Sequence, residues 1–162
     1  MPSHDVVELI LRDHRTMADL IRRMRSVEED RAQALTEFGD LLVAHGTAEE
    51  LEVYPALKRY PDIDNDEVEH GTEEHDEGNE ALLALLELDG TDGDAWDARL
   101  ERLVEAVTHH LGEEERTILN GARENVPDES REELGRAFAR ERARQLAGDC
   151  GSVVNVRRIV KQ

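Results

Sequence analysis

The stretch His45-Gly46-Thr47-Ala48-Glu49-Glu50-Leu51-Glu52-Val53-Tyr54-Pro55 decides how this chain folds. His45 and Glu49 stand four apart, so on a helix they lie one above the other on the same face. Working outward, Leu35, Phe38, Leu42, His45, Glu49, Val53 and Ala56 follow at steps of 3, 4, 3, 4, 4 and 3. That is the apolar seam of an amphipathic helix with an imidazole and a carboxylate set into it. A seam position faces the core, where an unpaired carboxylate costs on the order of several kcal/mol. Something must neutralise Glu49, and a metal ion is one answer.

The same seam recurs along the chain. Ser3 is placed to cap a first helix, in which Val7, Ile10, His14, Met17, Ile21 and Met24 share a face. The helix of His45 is expected over residues 31–60, and a turn-rich break follows at residues 60–65. A third helix over residues 67–88 places Val68, His75, Asn79, Leu82 and Leu86 together. The fourth carries Trp96, Leu100, Leu103, Val107, His110, Glu114 and Ile118, again at steps of 3 and 4. A weaker helix covers residues 128–146, with Leu134, Phe138 and Leu146 as its apolar side. Gly148 and Gly151 break it, and the β-branched tail (Val153, Val154, Val156, Ile159, Val160) reads as an extended strip pinned on the bundle or at a subunit contact.

Aromatic residues make up only 3% of the chain and charged residues 36%, so the core is aliphatic and the outer faces are heavily charged. The fold class expected is all-α: an antiparallel four-helix bundle with an additional C-terminal helix and a short irregular or extended tail. Two units follow, the bundle over residues 1–126 and the helix and tail over residues 127–162. A net charge of −19 repels nucleic acid and anionic substrates and concentrates cations. No apolar run reaches membrane-span length and no signal-peptide core follows Met1, so a cytoplasmic protein without membrane contact is expected, as a monomer or weak homodimer. Cys150 is the single cysteine and fits a reducing compartment.

Helices two and four echo each other: His45-x3-Glu49-Glu50 matches His110-x3-Glu114-Glu115 spacing for spacing. A single seam histidine is ordinarily a satisfied core residue. Four helices each with one, two of them adding a glutamate one turn on, is a different pattern, and no seam lysine or arginine is there to pair with the acids. Four imidazoles and two carboxylates exceed one tetrahedral zinc and suit two octahedral-type ions bridged by the carboxylates, iron better than magnesium or calcium. The Glu-x-x-His motifs of ferritin-like sites are missing from these seams.

The pattern His14 … His45-x3-Glu49 … Glu74-His75 … His110-x3-Glu114 resembles the hemerythrin-like, or HHE cation-binding, family over about residues 4 to 120. The length, fifth helix and Cys-Gly tail look like its actinobacterial, mycobacterial-type branch. That resemblance implies a μ-oxo di-iron pair held by His14, His45, Glu49, His75, His110 and Glu114, with Glu49 and Glu114 bridging. It further implies a protein that decomposes hydrogen peroxide, or alternatively one that binds or senses O2, nitric oxide or iron without turnover. One departure stands out: oxygen-carrying hemerythrins have a further histidine where this chain has Gly71, which weakens the carrier reading. His70 points about 140° away from the seam on a regular helix; a π-bulge near Gly71 would make it a seventh ligand. Tyr54 is off the seam too, yet Pro55 can distort the helix end and aim its phenol inward as a ligand or proton donor. His109 reads as a supporting or surface group, His4 as part of the helix start, and Cys150 as a thiol without chemistry.

Overall fold

The structure, a computed structural model, describes residues 3–161; Met1, Pro2 and Gln162, at the ends of the two expected units, lie outside the described residues. Helix α1 (Val6–Arg25) begins on Asp5, whose carboxylate accepts from the Val7 N–H. Ser3 is not that cap: its hydroxyl accepts from the Asp5 N–H at 3.1 Å and donates to Glu132 at 3.1 Å. Helix α2 (Arg31–Ala48), capped by Asp30, runs on through a π-helical turn at Glu49–Val53 into a last α-helical turn, Tyr54–Leu57. Helix α3 spans Asn65–Leu86 behind an Asp64 cap. Helix α4 (Asp94–Glu114) likewise passes through a π-helical turn at Glu115–Leu119 before a short α-helical end, Asn120–Asn125. Helix α5 covers Asp128–Ala147 and α6 covers Val153–Val160.

The first four helices close a ring: α1 packs on α2, α2 on α3, α3 on α4, and α4 back on α1. Helix α5 lies across α1 and α2, its Gly135 so close to the first helix entry that a Cβ there would collide with the His4 carbonyl oxygen. Leu146, expected on its inner side, is exposed; Phe138 is the side chain that α5 buries. The tail is helical, contrary to the extended strip expected from its β-branched residues. Ser152 caps it by accepting from the Asn155 N–H, and α6 packs on α3 through the buried Val156. Capping and burial here outweigh a weak local preference. Cys150, just before it, is buried against the Asp40 carbonyl.

The apolar interior falls into two clusters. One, built around Met17, Phe38, Leu82 and Trp96, fills the end nearer the α1–α2 and α3–α4 connections. The other, around Ile10, Val53, Leu119 and Phe138, fills the opposite end. Between them lie eight buried polar side chains: Asp13, His14, His45, Glu49, Glu74, His75, His110 and Glu114. No described helix is long and apolar enough to cross a membrane.

Candidate metal centre

The seam positions of α1 to α4 bring His14, His45, His75 and His110 to one level of the bundle, each at most 8% exposed. Their Nε2 atoms point inward toward two glutamates. His45 Nε2 and His75 Nε2 each lie 3.1 Å from Glu49 Oε1, and His14 Nε2 lies 3.1 Å from Glu114 Oε1. His110 Nε2 sits 3.8 Å from Glu114 Oε2. Glu114 therefore spans the interior, one oxygen toward α1 and the other toward α4. Two donor groups result, Glu49 with His75, His110 and Glu114, and His14 with His45 and Glu114.

Of these contacts only His75 Nε2 to Glu49 Oε1 is a hydrogen bond. Nε2 of His14, His45 and His110, Oε2 of Glu49 and Oε1 of Glu114 are all buried and without a hydrogen-bond partner. His14 Nε2 and Glu114 Oε1 approach to 3.1 Å yet neither is aimed at the other. Orphaned buried donors are rare because each forfeits its hydration. Two donors in adjacent octahedral positions on one ion, at bonds of about 2.1 Å, stand about 3.0 Å apart. The repeated 3.1 Å spacing matches that figure. The residues present fit a pair of cations.

The outward face of each imidazole is held by an acid from the neighbouring helix. Asp13 of α1 takes His45 Nδ1 of α2 at 2.8 Å, and Glu50, following α2, takes His75 Nδ1 of α3 at 3.0 Å. Glu74 of α3 takes His110 Nδ1 of α4 at 3.1 Å, and Glu115, following α4, takes His14 Nδ1 of α1 at 3.0 Å. The four bonds form a closed cycle in which every helix clasps the next. Such carboxylates fix the tautomer that leaves Nε2 free to ligate. Sequence reasoning missed their role, although each is adjacent in the chain to a seam residue: Asp13 to His14, Glu50 to Glu49, Glu74 to His75, Glu115 to Glu114. Arg142 of α5 was also missed; its guanidinium donates to both oxygens of Asp13, at 2.8 and 2.9 Å.

Charge balance shows in the titration of the site. Burial works against the charged imidazoles, but Glu49 and Asp13 around His45, and Glu49 and Glu50 around His75, push both up to about 10. Burial likewise opposes the Glu49 carboxylate, and His45 and His75 hold it well below the usual range. The interior is thus built to be balanced by positive charge.

Tyr54 is buried at 3% exposure, and its hydroxyl donates to Glu114 Oε2. The π-helical turn explains its direction: the Tyr54 N–H bonds to the Glu49 carbonyl, five residues back, so the two side chains share a face. Proline is not the common cause, since the matching turn after Glu114 leads into Asn120. The ring stacks on His75 with centroids 5.6 Å apart. It fills the space above Gly71, where a Cβ would stand 3.0 Å from the phenol oxygen. Burial, then the charges of Glu114 and Glu49, raise the phenol well above its ordinary pKa.

His70 does not join this interior. Helix α3 is regular through residues 70–75, so the bulge that would have turned His70 inward is absent there, and its imidazole is 48% exposed. The two π-helical turns lie after Glu49 and Glu114 instead, where a sequence pattern of 3 and 4 steps gives no sign of an inserted residue. His109 is also on the outside, against Glu74 and Glu113. Next to the interior donors, a cavity of about 20 Å³ lies against His75 and His110, walled by Leu42, Gly46, Gly78 and Val107.

Compared with known families, residues 5–121 match the model described as hemerythrin HHE cation binding domain. Neither the curated proteins nor the solved structures give a match.

Proposed function

The chain belongs to the hemerythrin HHE cation-binding family, and from that premise we propose that it is a μ-oxo di-iron protein that disproportionates hydrogen peroxide. The observation that carries the metal reading is the set of buried atoms without a hydrogen-bond partner that meet at one level of the bundle: Nε2 of His14, His45 and His110, Oε2 of Glu49 and Oε1 of Glu114. On this reading His14, His45 and Glu114 would hold one ion, and His75, His110 and Glu49 the other, with Glu49 and Glu114 available to both. Bound iron would supply a two-electron couple with exchangeable positions for a small oxygen ligand.

The reaction turns two peroxides into two waters and one O2, so protons must move between the two substrate molecules. Tyr54 is the group placed to hold one: its Oη proton is kept by burial and by the Glu114 charge, and lies at the edge of the donor set. Glu114 Oε2 accepts that hydroxyl and orients it. Leu42 and Val107 wall a space of about 20 Å³ beside His75 and His110, room for a water-sized molecule. Peroxide is neutral, so the surface charge of −19 does not repel it. Gly71 favours turnover over O2 carriage, because the place of a carrier's additional histidine is taken by the Tyr54 ring. A cytoplasmic location accords with this role.

The test is an oxygen electrode reading after peroxide is added to iron-loaded protein, with free iron, metal-free protein and His45→Ala as controls. Two iron ions per chain and O2 release above all controls are expected; His45→Ala should lose metal and activity together. No release, with a reversible O2 spectrum in the reduced protein, would assign the chain to O2 binding. Neither behaviour in a protein that still holds iron would assign it to nitric oxide or iron sensing.

A further inference from the structure

Helices α3 and α4 carry a second pair of His-x3-Glu spacings, one face around from the seam: His70 with Glu74, and His109 with Glu113. These four side chains converge at the outer surface of the α3–α4 pair, with one donor atom of each within 4.8 Å of the others. We propose that they form an exterior site for one tetrahedral divalent cation of the zinc class, separate from the interior pair.

Four distances describe the exterior cluster. His109 Nε2 lies 3.1 Å from Glu74 Oε2 and 3.3 Å from Glu113 Oε1. His70 Nε2 lies 3.6 Å from Glu74 Oε2 and 3.5 Å from Glu113 Oε2. Four donors at about 2.1 Å from a tetrahedral ion stand about 3.4 Å apart, and these values scatter around that figure, with Glu113 offering Oε1 toward His109 and Oε2 toward His70. Three of the interior spacings are 3.1 Å, near the octahedral value, and the fourth, His110 Nε2 to Glu114 Oε2, is 3.8 Å. Two imidazoles with two carboxylates are a donor set that zinc-like ions accept.

Surface ion pairing accounts poorly for this arrangement. Each Nε2 faces two carboxylates at once, and none of the four contacts has hydrogen-bond geometry. Glu74 is only 5% exposed, yet it sends Oε2 outward between the two imidazoles. Its Oε1 meanwhile takes His110 Nδ1. A buried carboxylate is costly to hold unless both oxygens are used, and a cation on the outer oxygen completes it. Glu73 stands 3.5 Å from His70 Nδ1, which leaves His70 Nε2 turned to the cluster as in the interior histidines. The net charge of −19 raises the local cation concentration. Glu74 thereby joins an exterior ion to the imidazole of an interior position.

The experiment uses the full chain as purified, with its resident metal measured first, and Co2+ as the probe in equilibrium dialysis and visible absorption. One Co2+ per chain above the resident content, with the strong visible bands of tetrahedral Co2+, is expected. The double variant His70→Ala/His109→Ala should bind that ion at least about tenfold more weakly, with helix content and resident metal unchanged. Both changes are at exposed positions, and Glu74 is left in place to hold His110. No saturable binding, equal binding by the double variant, or the weak spectrum of octahedral Co2+ would overturn the proposal. Because the resident metal is read separately, an empty interior would count against the di-iron reading and leave this result to stand on its own.

Discussion

Replacing Arg142 with methionine tests how far the fifth helix supports the metal centre. Arg142 reaches from α5 to both oxygens of Asp13, and Asp13 grips His45 Nδ1 at 2.8 Å. Burial would raise the Asp13 carboxyl; hydrogen bonds and charge from His45 and Arg142 hold it below its ordinary value. Methionine keeps much of the stem and removes the charge. A fully buried pair broken in this way loses about 3–5 kcal/mol. The Arg142 side chain is 32% exposed, so water relieves part of that loss and about 2 kcal/mol is the better figure. For a chain of this size that lowers Tm by about 4–8 °C. With Asp13 less firmly placed, His45 loses orientation and metal affinity should fall about tenfold. The assay is thermal melting by circular dichroism with a metal titration, against Arg144→Met, whose guanidinium pairs with Glu141 three residues back on the same helix. Equal melting temperatures and equal metal affinities for the two variants would refute the reasoning.

Three further outcomes are expected. Gly71→Ala pushes a methyl to 3.0 Å from the Tyr54 hydroxyl, and should cost about 1–3 kcal/mol and alter the iron spectrum in the direction of Tyr54→Phe. Tyr54→Phe itself should slow peroxide turnover while keeping both metals; undiminished turnover would reject the proton-holding role. In metal-stripped protein, His45 and His75 are raised from 6.5 to about 10, so their pairing stabilises fully below about pH 6.5 and is lost as pH rises toward about 10. Glu49, depressed, contributes in the opposite sense, with stability lost as pH falls below 4.5. Chemical denaturation across that range should show the stripped protein weakening at alkaline pH and the loaded protein holding steady; parallel curves would count against the pairing.

The bundle and its inner ring were legible because both depend on local periodicity. Helical spacing fixes which side chains share a face, so His14, His45, His75, His110, Glu49 and Glu114 could be placed on inner seams from their steps of 3 and 4 alone. The charge of those seams also pointed to a cation, since buried acids need one. What the spacing could not give was anything made between helices. Asp13, Glu50, Glu74 and Glu115 sit beside the seam residues in the chain, but each acts on the imidazole of a different helix, and only packing chooses that partner. Arg142 binds Asp13 across 129 residues of sequence. The π-helical turns break the very period used to read the helices, which is why Tyr54 read as off the seam and lies inside it. The tail was misread for a related reason: strand propensity is a weak local term, and α6 is decided by the Ser152 cap and by Val156 meeting α3. Local order in the sequence determined the face each ligand candidate occupies, while tertiary contact decided how each one is aimed, because orientation is set by partners far along the chain.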